Sequence, residues 1–278
     1  MTWVVTGAAG QLGRDIVEVL TAAGHPVRAL SSADLDVRDP ASARAGVEGA
    51  AVVINAAAWT DVDGAETDEA GAFAVNAVGA ANVARACADV GAELVHVSTD
   101  YVFGGSGDRP YRPTDPPAPL NAYGRSKAAG EWAARAECPA TYVVRTSWLY
   151  GRHGRNFVRT ILERAGRPEG LSVVDDQRGQ PTWTLDLADR IEALVSGPEA
   201  PGVHHVTNSG TATWFDLAHE TLTVAGMSTD HLRRARTSEH PRPARRPAYS
   251  VLTDDDRLPD WRDAVRRAVP LLLSADPG

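Results

Sequence analysis

The sequence predicts an α/β fold, a doubly wound parallel sheet with helices on both faces. Three observations carry this expectation. Short aliphatic runs alternate with alanine-rich helical stretches through the first half of the 278-residue chain. That order suits parallel strands joined by right-handed helical crossovers. The runs are apolar throughout rather than alternating, as strands buried on both faces are. The first run ends in a glycine-spaced turn that opens a helix, as a βαβ unit does.

Trp3-Val4-Val5 reads as the first strand, followed by the glycine turn and a helix over 14–23. Residues 26–30 read as the second strand and Val52-Val53-Ile54 as the third. A helix is expected over 70–90 and a fourth strand over 93–97. The stretch 104–119 is rich in proline and glycine and reads as a long loop, a place where function often sits. A helix over 123–136 and a fifth strand over 142–145 follow. The second half is less regular. Residues 185–195 look helical and are expected to return to the first domain, and 214–225 form another helix. The arginine-, histidine- and proline-rich stretch 231–246 reads as loop. The expected division is a first domain over 1–150, joined by about 183–200, and a smaller second one over 151–278.

Composition excludes several classes. Hydrophobic residues make up 43% of the chain, enough for a core and too many for disorder. A net charge of −8 gives no general attraction to nucleic acid or anionic membrane. No apolar run approaches the roughly 20 residues of a membrane helix, and no signal peptide is expected. Cys87 and Cys138 stand in unrelated contexts without ligand spacing, which points to a reducing, cytoplasmic setting. The eight histidines are scattered apart from His204-His205, whose adjacency suits strand alternation. No catalytic metal is expected.

The turn Gly7-Ala8-Ala9-Gly10-Gln11-Leu12-Gly13 has the spacing G-x-x-G-x-x-G. Gly7 allows a tight turn, Gly10 lets backbone approach a pyrophosphate, and Gly13 lets the helix pack on the strand. Helix N-terminal amides, here those of Gln11 and Leu12, then face the anion. Placed after the first strand, this reads as a Rossmann-like dinucleotide site. The second strand runs out at Leu30-Ser31-Ser32, with no acid before Asp34. A serine such as Ser31 tolerates a ribose phosphate better than a carboxylate does, so NADPH is the expected cofactor and NADH the alternative. Asp36 and Val37 are placed to flank the adenine, or serve only the turn.

Lys127 is the only lysine among 28 cationic residues. It stands four residues after Tyr123, so on a helix the two share a face. Arginine replaces lysine poorly where a compact ammonium must sit beside a reacting group. A cation about 5 Å from a phenol, at an effective dielectric of about 20, favours phenolate by roughly 3 kcal/mol. That is roughly two pK units, so Lys127 is expected to sharpen Tyr123 as a proton donor. Thr99 ends the fourth strand, where ligands bind in open α/β sheets, and its hydroxyl is placed to polarise a carbonyl. Asn76 is a poor helix-interior residue inside an alanine-rich helix.

The glycine triplet and Tyr-x-x-x-Lys together resemble the extended short-chain dehydrogenase/reductase superfamily. Six further segments, in order along the chain, are similar to the dTDP-4-dehydrorhamnose reductase family. They are Asn55-Ala56-Ala57-Ala58-Trp59-Thr60-Asp61-Val62-Asp63, Ser98-Thr99-Asp100-Tyr101-Val102-Phe103 and Pro119-Leu120-Asn121-Ala122-Tyr123-Gly124. Arg145-Thr146-Ser147-Trp148, Asp176-Gln177-Arg178-Gly179-Gln180-Pro181-Thr182 and Ala244-Arg245-Arg246-Pro247 complete them. Trp59 departs from the tyrosine or histidine expected there.

The resemblance implies NADPH-dependent reduction of the 4-keto group of a dTDP-4-keto-6-deoxyhexose, with dTDP-4-dehydro-L-rhamnose giving dTDP-L-rhamnose as the leading case. It implies that the smaller C-terminal domain binds the nucleotide sugar. Tyr123, Lys127 and Thr99 are then catalytic, with Lys127 also on the nicotinamide ribose. Ala56, Ala57, Ala58 and Thr60 let backbone approach the cofactor, and Asn76 supports that site. Val102, Phe103, Trp148, Asn156, Gln177, Pro181 and Thr182 are expected near the sugar nucleotide. Trp148 stacks on the sugar or the base, or is simply core. Arg245 and Arg246 clamp the diphosphate, or form a solvated basic loop. A monomer and a homodimer both stay open. The alternatives are reduction of another dTDP-4-keto deoxysugar, or a cofactor-binding regulatory subunit without activity.

Overall fold

The computed structural model describes residues 1–165, 170–253 and 258–274. The chain opens with β1 (Trp3–Thr6), buried along its whole length. Gly7 then takes a left-handed φ of +67°, and a Cβ there would lie 2.6 Å from the Ala57 amide nitrogen. Only glycine fits. α1 (Gln11–Ala22) buries Leu12, Ile16 and Leu20 at helical spacing. β2 (Val27–Leu30), α2 (Pro40–Val47) and β3 (Val52–Asn55) follow, the Asp39 carboxylate capping α2 at the Ala41 amide.

Two short helices, α3 (Gly64–Thr67) and α4 (Glu69–Phe73), lead through a π-helical turn over Ala74–Val78 into α5 (Gly79–Val90). The single helix expected over 70–90 is therefore interrupted at Asn76. The cause is local. The Asn76 amide bonds the backbone of Trp59 and the hydroxyl of Ser126, and a widened turn lets it face both. β4 (Glu93–Thr99), α6 (Ala122–Glu137) and β5 (Thr141–Thr146) complete the first half, with the Asn121 side chain capping α6 at the Gly124 amide.

The second half runs β6 (Leu149–Tyr150), α7 (Phe157–Arg164), β7 (Leu171–Val174), β8 (Arg178–Gly179), β9 (Thr182–Trp183) and α8 (Thr184–Ser196). It continues with β10 (Gly202–His205), β11 (Asn208–Ser209), β12 (Ala212–Thr213), α9 (Trp214–Val224), β13 (Leu232–Ala235), β14 (Leu258–Asp260) and α10 (Trp261–Ser274). The stretch expected as loop over 231–246 thus contains a strand. β13 pairs in parallel with β7, and its central Arg233 and Arg234 face solvent, which disguises it as a basic loop. Arg234 meets Asp175 at 2.6 Å.

Six strands form one parallel sheet in the order β10-β5-β4-β3-β1-β2. From β1 the chain adds β2 on one side and then returns to add β3 on the other. That reversal opens a crevice at the carboxyl ends of β1 and β3. One face is packed by Ile16 and Leu20 of α1 with Leu187, Ile191 and Leu194 of α8. The opposite face is packed by α2, α5 and α6 through Val47, Val83, Cys87 and Ala134. A separate apolar cluster joins Tyr150, Val158, Trp183, Leu217, Trp261 and Val265. The architecture is Rossmann-like. Among the described residues no helix is long and apolar enough to cross a membrane.

Candidate active site

A cleft of about 860 Å³ opens at the carboxyl ends of β1, β3 and β4. Gly7, Gly10, Gln11, Leu12 and Gly13 form one end of it. Gly10 stands at the N-cap of α1 with no side chain bonding the first amides. Those N–H groups therefore remain available to an anion. A Cβ on Gly13 would lie 2.3 Å from the Gly7 carbonyl oxygen, so the turn and helix can close only on glycine. Ala56, Ala57, Ala58, Trp59 and Thr60 form the adjoining wall.

Asn76 does not reach the cleft. It is 1% exposed and sits behind the wall. Its Oδ1 accepts from the Trp59 amide at 2.9 Å, and its Nδ2 donates to the Trp59 carbonyl and to Ser126. It ties the wall to α6.

At the end of β2, Asp36, Val37 and Ser32 line the cleft, but Ser31 does not. The Ser31 hydroxyl is taken by Asp34 at 2.6 Å. Asp36 is already paired with an arginine. Arg38, also on the lining, donates to both its oxygens at 2.9 and 2.7 Å. That guanidinium holds the carboxyl at about 2. The sequence placed an acid here; the structure places an acid–arginine pair.

Thr99 ends β4, and Tyr123 and Lys127 stand in the first two turns of α6. All three line the cleft. Lys127 is 2% exposed, and its Nζ donates to the Val97 carbonyl at 2.7 Å. Burial pulls its pKa down to about 8, against a smaller opposing pull from Glu131. Burial also pushes Tyr123 up to about 12, with Thr99 drawing it back and Asp100 pushing further. The expectation that Lys127 sharpens the phenol is therefore not met. Helical spacing puts the two on one face, but the ammonium is aimed at the backbone of β4. Asp100, 2% exposed, accepts from the Thr99 hydroxyl at 3.0 Å, and burial raises it to about 7.

Trp148 forms the far wall. Its φ of +47° is the sole positive value among the described residues other than glycine, a conformation that persists only where surroundings impose it. Its ring stacks on Trp214 at 3.7 Å between centroids. A Cβ on Gly179 would strike that ring at 2.5 Å. Trp214 also lines the cleft, and the sequence reading missed it. Its visible signal was a tryptophan directly after the Thr213 cap.

Several expected sugar-nucleotide residues lie elsewhere. Val102 and Phe103 are fully buried, with Phe103 stacked on Tyr111. Their apolar side chains suit that core. Asn156 caps α7 at the Arg159 amide and holds the Gly151 carbonyl. Gln177 accepts from the Trp214 indole N–H and donates to Thr237, so it braces the cleft wall from behind. Pro181 and Thr182 are buried, and Thr182 pairs with Leu149 between β9 and β6. Arg246 is held by Asp63 at 2.9 Å, and Arg245 is exposed away from the lining. The cationic side chains on the lining, among the described residues, are Arg38, Lys127 and Arg155. Arg155 was not anticipated either.

Asp15, Glu18 and His153 bring ligand atoms within 4.8 Å of one another outside the cleft. Asp15 already bonds Thr184, and Glu18 pairs with Arg152.

The chain has counterparts among known proteins. A family profile described as the RmlD substrate binding domain matches residues 1–272. A Streptomyces antibioticus protein named "Probable dTDP-4,6-dihydroxy-2-methyloxan-3-one 4-ketoreductase" is 46% identical, over 99% of this chain and 97% of its own. A dTDP-4-dehydrorhamnose reductase of Streptomyces griseus is 45% identical, over 97% of this chain and 93% of its own. A crystal structure of the dTDP-4-dehydrorhamnose reductase of Bacillus anthracis in complex with NADP superposes with a TM-score of 0.92 at 36% identity. It covers 96% of this chain and 98% of that one. By profile, by sequence over nearly its whole length and by fold, the chain belongs to the dTDP-4-dehydrorhamnose reductase family.

Proposed function

We propose that the chain reduces the 4-keto group of a dTDP-4-keto-6-deoxyhexose with NADPH, dTDP-4-dehydro-L-rhamnose being the leading substrate. The observation that carries this reading is the meeting of Thr99, Tyr123 and Lys127 in the same cleft as the glycine turn. The turn fits a dinucleotide pyrophosphate, because Gly7 and Gly13 leave no room for a Cβ and the α1 amides are uncapped. Arg38 stands where β2 ends, the position from which a cation meets a ribose 2′-phosphate. The solved relative in complex with NADP supports the same cofactor. When bound, the cofactor supplies the hydride.

The chain's own residues handle the proton. Tyr123, held at about 12, keeps its proton throughout the neutral range. A general acid needs to be loaded when negative charge develops on the carbonyl oxygen. The Tyr123 phenol donates to that oxygen, and the Thr99 hydroxyl steadies it. Lys127, itself 2% exposed, supplies positive charge beside it. Trp148 and Trp214 give the sugar a flat apolar wall.

A second reading is favoured by one finding. The Streptomyces antibioticus relative bears the name of a different dTDP-sugar ketoreductase, so another dTDP-4-keto deoxysugar competes as substrate. A regulatory subunit without activity is disfavoured by the intact Thr99, Tyr123 and Lys127 set. We further infer that the cofactor part comprises 1–150 with about 183–200, that 151–278 supplies the sugar side, and that the enzyme works in the cytoplasm.

The test is NADPH oxidation with each dTDP-4-keto-6-deoxyhexose in turn. Tyr123→Phe is expected to lower the chemical step at least ~10²-fold. Wild-type turnover in that variant, or no oxidation with any of these sugars in the unaltered enzyme, overturns the proposal.

A further inference from the structure

We propose that Arg155 latches the bound dinucleotide, its guanidinium gripping the pyrophosphate beside the start of α1. The inference rests on the cofactor reading above and adds a residue to it.

The loop between β6 and α7 runs against the start of α1. A Cβ built on Gly154 would lie 3.6 Å from the Gln11 Cβ. The loop is pinned at both ends. Asn156 Nδ2 donates to the Gly151 carbonyl and Arg159 donates to the Arg152 carbonyl. Arg152 itself pairs with Glu18 of α1. Gly154 turns left-handed, with φ +68°, and the next residue is presented to the cleft.

Charge then singles out Arg155. Its neighbours are occupied: Arg14 donates to the Ala9 carbonyl, Arg152 is paired with Glu18 and Arg159 holds backbone. On the lining, Arg38 stands with Asp36 beyond the end of β2, on the 2′-phosphate side, and Lys127 donates to Val97. Arg155 lines the cleft, is exposed, and makes no hydrogen bond or ion pair among the described residues. The chain carries a net charge of −8, so an unpaired guanidinium at an anion site is not the product of a surplus of cations. A guanidinium matches two phosphate oxygens at once. Beside Gln11, the phosphate it reaches is the one that the α1 amides also face.

The experiment measures binding to the full-length chain, wild type and Arg155→Ala, by titration with three ligands. NADPH carries the pyrophosphate, adenosine 2′-monophosphate carries neither of its phosphates, and dTDP carries the substrate's diphosphate. The expected result is a roughly 10-fold weaker NADPH affinity, the scale of one lost charged hydrogen bond, with the other two ligands unchanged. Arg155→Lys should recover part of the loss, keeping charge without the fork. An equal loss for adenosine 2′-monophosphate, a loss on dTDP instead, or unchanged NADPH affinity each overturns the latch. If the wild type itself does not bind NADPH, it is the cofactor reading that fails.

Discussion

Replacing Lys127 by methionine should make the protein more stable and nearly inactive. The side chain is 2% exposed and burial pulls its pKa from 10.5 to about 8. At ~1.4 kcal/mol per pK unit, that drop is a penalty of roughly 3 kcal/mol on the charged form in the folded state. The folded pKa lies below the unfolded one, so between about pH 8 and 10.5 the unfolded chain binds more protons. Stability therefore rises with pH across that window, and below it the full penalty stands. Methionine has similar length and no charge. It gives up the hydrogen bond to Val97, worth about 1 kcal/mol, which leaves a net gain of roughly 2 kcal/mol. At about 2–4 °C per kcal/mol for a domain of this size, Tm should rise by roughly 4–8 °C at pH 7. Calorimetry at pH 7 and pH 10 checks it, since the gain should shrink as the wild-type lysine loses its proton. NADPH oxidation should fall at least ~10²-fold in the same variant. A Tm equal to or below wild type at pH 7, or a gain that does not change with pH, would show that no desolvated charge is stored there.

Two further outcomes follow from the cleft walls. Asn76→Ala strips partners from the Trp59 amide, the Trp59 carbonyl and the Ser126 hydroxyl. It should cost about 3 kcal/mol and loosen the 56–60 wall, seen as a Tm lowered by roughly 6–12 °C and weaker NADPH binding. A melting curve that overlays wild type would mean the amide is not bracing that wall. Arg38→Ser should weaken NADPH roughly 10-fold and leave NADH nearly unchanged, measured as paired KM values. Equal losses on both cofactors would assign Arg38 to the fold rather than to the 2′-phosphate.

What was legible in the sequence is what short-range rules decide. The glycine turn could be placed because Gly7, Gly10 and Gly13 stand at fixed spacing directly after the first strand, although the crowding that demands glycine at position 7 comes from Ala56 and Ala57 across the sheet. Tyr123 and Lys127 could be placed because helical spacing fixes a shared face. The sugar end was not legible, because lining a cleft there depends on which side of a short strand faces inward. Val102 and Phe103 turn to the core, Thr182 disappears into β9, and Trp214 arrives from a helix 66 residues after Trp148, a separation read from their numbers. No local pattern connects those two indoles. The strand β13 was hidden for a related reason, since its two central arginines point outward and carry the composition of a loop.

The failed expectation about Tyr123 shows where pairwise electrostatics stops. Spacing brings an ammonium near a phenol, but the enclosed site taxes every charge, and burial is the largest influence on Tyr123, Lys127 and Asp100 alike. The phenol is pushed up, the ammonium down, and the carboxyl up to about 7. The resting cleft therefore keeps the phenol neutral at pH 7, while Lys127 stays mostly charged at a desolvation cost and Asp100 sits near its midpoint. Negative charge appearing on a substrate oxygen would change that balance, because Lys127 would gain a partner at the moment Tyr123 gives up its proton. A cation held cheaply from the start would stabilise ground state and transition state alike; one that gains its partner only as charge develops favours the transition state. The depressed lysine and the raised tyrosine are then two consequences of one enclosure, and a substitution that admits water should return both towards their ordinary values while slowing the reaction.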